Sequence, residues 1–220
     1  MIRIAFHSEL SELIGDLARM GRLAGQLMIN ASAALLQADL ALADLVIARS
    51  DEMDAQHHEV EQRCLTRLTP QVPAAADLQT VVAALHAAHD LQRMGDLAQH
   101  TAKLAQLTDL ELAILPDDVR TVIAQMSLLA SGLAHQAATA IEKADPLSGD
   151  RLARGGDEVD ALRRQLFRIV FAENWSYGAG PAVHAALIGR YYECFADHAV
   201  AIARQVRQLA TERMPKPLRR

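Results

Sequence analysis

Residues 20–55, MGRLAGQLMINASAALLQADLALADLVIARSDEMDA, and residues 126–161, MSLLASGLAHQAATAIEKADPLSGDRLARGGDEVDA, align over their whole length without a gap. Leu23 falls on Leu129, Asp39 on Asp145, Asp44 on Asp150, Asp51 on Asp157 and Asp54 on Asp160. Alanine matches count for little, because alanine-rich helices coincide by chance. The aspartates count for more, since core packing does not require an acid at the same offset twice. Further along, a slightly shorter offset lays DLQRMGD (90–96) over YYECFAD (191–197), pairing Gln92 with Glu193 and Asp96 with Asp197. Internal repeats are a primary signal of architecture, and this chain carries one.

The repeated unit is helical. Leu10, Leu13, Ile14, Leu17, Leu23, Leu27, Ala31, Leu35 and Leu42 recur at helical spacing with no proline between them, which predicts one long helix over 8–45. A second helix is expected from about Asp51 to Leu68, carrying Met53, Val60 and Leu65. TPQVPAAAD (69–77) reads as a loop, because its two prolines break a helix. A third helix follows from Asp77 to about Leu107, and LTDLELAILPDD (107–118) links the halves, with Pro116 at a helix start. The order then repeats: a helix over 117–144, a break at DPLSGD, a helix over 156–171, a loop at ENWSYGAGP (173–181), and a last helix over 182–212. Val183, Leu187, Tyr191, Phe195, Ile202, Val206 and Leu209 are its expected apolar seam. The expected fold is all-α, with six helices in two tandem antiparallel three-helix bundles over 1–110 and 111–220.

Composition agrees. A chain of 220 residues can bury a sizeable core. Hydrophobic residues make up 51% but aromatics only 4%, which favours helices packed through small side chains over aromatic-rich sandwiches. A net charge of -5 lacks the basic footprint that nucleic acid needs; only the tail KPLRR (216–220) is locally basic. Cys64 and Cys194 lack CxxC spacing, so neither a disulfide framework nor a structural zinc site is expected. MIRIAFHSELSELIGDL has Glu9 and no long apolar run, unlike a signal peptide. No apolar run of about 18 residues suggests a membrane span. A reduced, cytoplasmic protein is expected.

The acids are the candidate chemistry. Glu193 and Asp197 lie one helical turn apart on one face. Such a pair repels when ionised, and a cation or basic group beside it relieves the repulsion. Oxygen ligands of this kind suit Mg²⁺, Mn²⁺ or Ca²⁺, and iron tolerates them. Asp157 and Asp160, expected at the start of the fifth helix, are further candidate metal ligands. The matching set in the first repeat is Gln92, Asp96, Asp51 and Asp54, weaker because Gln92 is uncharged. Against this stands the plainer reading of acids that solvate helix faces or favour helix N-termini. Histidines lie on the expected helices too, and His198 beside Asp197 is the one to watch. No Glu-x-x-His pattern of a di-iron bundle occurs, nor does any phosphate-loop, dinucleotide, nucleophile-elbow or zincin motif. An enzyme is therefore not expected.

Four segments together resemble the PhoU family of phosphate-signalling regulators: HSELSELIGDLARMGRLAGQLMINASAALLQADLALAD, DEMDAQHHEVEQRC, DLQRMGDLAQHTAKLA and ALIGRYYECFADHAVAIARQV. The resemblance covers nearly the whole chain, and the last segment is specific, because family members typically show RYYERFADHAV there. It implies two three-helix bundles side by side and no catalytic activity. It also implies a negative regulator coupling a phosphate ABC transporter, through its ATPase subunit, to a sensor histidine kinase at the cytoplasmic face of the membrane. Association with the membrane would then be peripheral, through those partners. Some members bind iron or zinc clusters through an E/D-x-x-x-D motif once per repeat. Here Glu193 and Asp197 match it fully, Asp96 matches in the first repeat, Gln92 replaces an acid, and Cys194 stands where Arg is usual. Iron, zinc or another divalent metal is the implied cofactor. The alternative function is a metal-binding bundle with a storage or di-metal enzymatic role. A homodimer is expected, since alanine-rich helices leave apolar stripes that a second copy can cover.

Overall fold

Among the described residues six helices form, in chain order α1 (Ile2–Gln37), α2 (Leu40–Leu68), α3 (Ala75–Leu107), α4 (Asp117–Lys143), α5 (Ser148–Val170) and α6 (Ala179–Arg213). The structure is a computed structural model describing residues 2–68, 75–107, 115–145 and 147–213. The basic tail, most of the 69–77 loop, and the linker with the expected 110/111 boundary lie outside the described residues, as does the side chain of Leu209.

Helices α1, α2 and α3 pack on one another, and so do α4, α5 and α6. The two bundles join through α1 against α4 and α3 against α6, leaving α2 and α5 outermost. Joining pairs run antiparallel: Gly21 meets Ala138 while Arg120 reaches Leu36, and Asp90 meets His198 while His100 meets Tyr191. Small residues permit this closeness. A Cβ on Gly21 would sit 2.9 Å from that of Ala138 and 3.4 Å from Leu91 Cδ2, so α1 and α4 touch almost backbone to backbone. The apolar positions expected on α1 are buried from Leu10 to Leu35.

One long helix over 8–45 does not form; the chain breaks at Ala38 and Asp39. Ala38 takes a left-handed φ of 54°, and the Asp39 N–H donates to the Ala34 carbonyl at 2.9 Å, a helix-ending pattern. The Asp39 carboxylate then accepts the Leu42 N–H at 3.0 Å and caps α2. The second repeat does the same. Ala144 has φ 49°, the Asp145 N–H donates to the Ala140 carbonyl at 3.0 Å, and the Asp145 carboxylate accepts the Leu147 N–H at 2.9 Å. That N–H, with Arg151, holds the Asp145 carboxyl below its ordinary range. The first break carries no Gly or Pro, so apolar spacing alone runs straight through it, whereas Pro146 marks the second.

Three smaller corrections follow. α5 begins at Ser148, not near Gly156, and Gly155 lies inside it against α4, where a Cβ would be 2.5 Å from Leu133 Cδ2. α6 begins at Ala179, and its buried seam is Ala185, Ile188, Tyr192, Phe195, Ala199, Ile202 and Val206. Val183 and Leu187 are instead exposed; α6 packs on α3, α4 and α5 at once, and its inward direction centres on Tyr192, not Tyr191. Leu65 is likewise exposed.

Candidate functional site

Helices α2, α3, α6 and α5 stand side by side in that order, and the candidate acids lie along them. In the second repeat, α5 presents Asp160 and α6 presents Glu193. Between them stands Arg163, whose Nη2 donates to Asp160 Oδ1 at 2.9 Å and whose Nε lies 3.2 Å from Glu193 Oε1. Arg164 also pairs with Asp160, and Arg190 Nη1 donates to Glu193 Oε2 at 2.7 Å. Glu193 is 19% exposed and Arg163 24%, so this bridge is shielded more than an ordinary surface pair. The Glu193 bond raises the Arg190 guanidinium above its ordinary value. One turn further on, Asp197 has no such partner. Desolvation, with Glu193 and Asp160 adding repulsion, pushes its carboxyl upward against the pull of Arg190 and His198.

The first repeat holds the same positions with different chemistry. Gln92 Nε2 donates to Asp54 Oδ1 at 2.9 Å across α2 and α3, and Arg93 donates to Asp96 Oδ2 at 2.6 Å. Gln92 with Asp54 thus occupies the place of Glu193 with Asp160, and Asp96 the place of Asp197. The acidic landmarks are equivalent in the two halves.

Asp51 and Asp157 stand apart. Both are exposed, and neither bonds to its neighbouring set among the described residues. They also lie well inside α2 and α5, so neither they nor Asp160 mark helix starts. Among the described residues no three His, Cys, Asp or Glu side chains are arranged to hold a metal ion. In the second repeat the donors Asp160 and Glu193 are instead bonded to guanidinium groups. The residues present therefore do not fit the iron or zinc centre that the resemblance implies.

His198 has a structural partner: its Nδ1 lies 2.9 Å from Asp90 Oδ1, linking α6 to α3 across the bundle junction. Both thiols are poor nucleophiles, since burial raises Cys64 to about 11 and pushes Cys194 up as well. The GAGP stretch is a turn into α6, where the Gly178 carbonyl accepts the Trp175 indole N–H at 2.7 Å. Sequence reasoning missed the arginines 163, 164, 190 and 93. The signal was present, because each lies three or four residues from its acid, the spacing of neighbours on a helix surface.

A second missed feature lies inside. The Tyr192 hydroxyl is 2.5 Å from Ser32 Oγ on α1 and also bonds Ser127 on α4. Burial pushes this phenol up to about 12. It ties α6 to both helices of the junction.

The repeat and its acidic landmarks have a match among known families. A family model described as the PhoU domain matches residues 17–105 and again residues 123–206. The chain belongs to the PhoU family. It is 38% identical over 97% of its length to the phosphate-specific transport system accessory protein PhoU homolog 2 of Mycobacterium tuberculosis, all of which is covered. To PhoU homolog 1 of Mycobacterium leprae it is 37% identical, covering 98% of this chain and 96% of that one. The fold is that of the crystal structure of PhoU from Pseudomonas aeruginosa, with a TM-score of 0.83, 23% identity, and coverage of 94% of this chain and 99% of that chain. Both PhoU matches fall on the duplicated unit, so the all-α, twice-repeated architecture expected from the alignment holds.

Proposed function

We propose that this chain is a non-enzymatic regulator of phosphate uptake and phosphate-starvation signalling. It couples a phosphate ABC transporter to a sensor histidine kinase and represses the response when phosphate is plentiful. The observation that carries this reading is family membership along the whole chain, with relatives named as accessory proteins of the phosphate-specific transport system. What the geometry adds is consistent with an adaptor. In a surface groove between α1 and α2 the arginines are paired with acids of the same groove: Arg63 with Glu12 and Asp16, and Arg19 with Asp16. No described helix is long and apolar enough to cross a membrane; in this reading membrane contact comes through partners at the cytoplasmic face.

The mechanism requires that the chain bind the ATPase subunit in one transporter state better than in another, because a coupling protein shifts an equilibrium only by its differential affinity. A homodimer is part of the same proposal. Exposed apolar side chains include two pairs at matched positions of the repeats, Leu65 with Phe171 and Val82 with Val183, and such side chains offer a self-complementary assembly its contacts. The test is binding of the purified chain to the ATPase subunit and to the cytoplasmic part of the kinase from the same organism, by interferometry with and without nucleotide. Binding to both, with a nucleotide-dependent affinity for the ATPase subunit, supports the proposal. Binding to neither contradicts it. The competing reading, a metal-storage or di-metal bundle, requires stoichiometric metal in the purified protein.

A further inference from the structure

The two repeats differ at the acidic face in a coordinated way. Across the matched positions, Glu193 corresponds to Gln92, Arg163 to His57, Arg164 to His58 and Arg190 to His89, while Asp160 corresponds to Asp54. Where the second repeat has two facing carboxylates, it also has guanidinium groups bonded to them. Where the first repeat has a neutral amide in place of one carboxylate, the amide reaches the remaining acid directly, and none of the three arginines is there. His57 and His89 only face each other, ring to ring, at 6.4 Å. Glu193 is thus accompanied by these three cations, and Gln92, its counterpart, by none of them.

Two carboxylates brought together on adjacent helices need positive charge between them, since each raises the cost of ionising the other. A divalent ion supplies it in an oxygen-rich site. A guanidinium supplies it too, with planar donors that match carboxylate geometry and a charge that no accessible pH removes. Arg163 stands in that position, its side chain three-quarters shielded, with one nitrogen on each acid.

We propose that Asp160 and Glu193 of the second repeat form an intramolecular guanidinium clamp, in which Arg163, assisted by Arg190 and Arg164, takes the place of a bound metal and ties α5 to α6. The chain is then complete without metal, and removing the arginines uncovers a cation site. The inference concerns the state of this face and stands apart from the regulatory proposal, which needs no metal.

The experiment uses the full chain purified without chelator. Elemental analysis is expected to find iron, zinc and manganese far below one atom per chain, and the melting temperature is expected to be the same with and without EDTA. Calorimetric titration with Mn²⁺ is then compared between the wild type and Arg163→Gln plus Arg190→Gln. The variant should bind at least about tenfold more tightly, and adding Glu193→Gln should abolish that gain. Stoichiometric metal in the wild type, a melting temperature lowered by EDTA, or Mn²⁺ binding as tight in the wild type as in the variant would overturn the clamp. The wild-type elemental analysis and melts decide the matter even if the double variant folds poorly.

Discussion

At one end of the junction between the bundles, Leu91 of α3 lies against Gly21 and close to its neighbour Ala138. At the matched place in the other repeat, Tyr192 of α6 meets Ser127 and Ser32. The backbone problem is the same at both ends: α3 packs on α1 and α6 on α4, and each sends one side chain to the antiparallel α1–α4 seam. The first end solves it by removing side-chain volume and closing the gap with apolar atoms. The second leaves room for a phenol and must therefore satisfy a buried hydroxyl. The pairing is reciprocal, because Gly21 corresponds to Ser127, and Ala138 to Ser32. Three positions on three helices have changed together, so one duplicated scaffold supports either an apolar or a polar lock.

The apolar end should break most severely. Gly21→Val puts branched carbons where even a Cβ meets Ala138 at 2.9 Å, and overpacking of this kind costs on the order of 3 kcal/mol. Denaturant unfolding should show that loss, while Ser127→Val at the matched position should cost much less if the second end has the room described. The polar end should lose less: Tyr192→Phe leaves Ser127 without its partner while Ser32 keeps the Met28 carbonyl at 2.6 Å, a cost of about 1.5 kcal/mol. The same unfolding assay checks it, and Tyr192→Phe plus Ser127→Ala should recover part of the difference.

The paired turns give a more even contrast. Asp39→Ala removes the carboxylate that caps α2 and should cost about 1 kcal/mol. Asp145→Ala should cost less, since its carboxylate caps a turn ahead of α5 and not the first turn of the helix itself. The smallest effect belongs to Asp197. Its carboxyl is raised in the fold, so the native state holds the proton more tightly than the unfolded chain, and ionised Asp197 opposes folding. Stability from this group is therefore lost as pH rises from the ordinary carboxylate range through the raised value. Asp197→Asn should be neutral or slightly stabilising at pH 7, with the gain gone in acid. Urea unfolding midpoints across that range measure it.

The duplication was legible because acids recur at fixed offsets, and Asp39 with Asp145 helped reveal it. Their role was not legible: they recur because each ends one helix and starts the next, not because they belong to a site. The break beside Asp39 was hidden because Ala38 adopts a left-handed conformation that usually calls for Gly or Asn, whereas the break beside Asp145 was legible in DPLSGD. The correspondence of Asp96 with Asp197 was legible in the repeat offset, whereas the place of Asp160 was not, since it was expected at the start of α5 and lies well inside it. The cations bonded to those acids were overlooked because helical spacing was read for apolar residues and acids but not for arginines. Tyr192 was passed over for Tyr191, since which of two adjacent tyrosines faces inward depends on three neighbouring helices that local periodicity does not contain.

The regulatory role is tested most directly by transcription from a phosphate-starvation promoter in phosphate-rich medium, in a strain lacking this protein and any second copy. The account predicts that the promoter is switched on in that strain and silenced again when the wild-type chain is restored. A promoter that stays silent without the protein would contradict it.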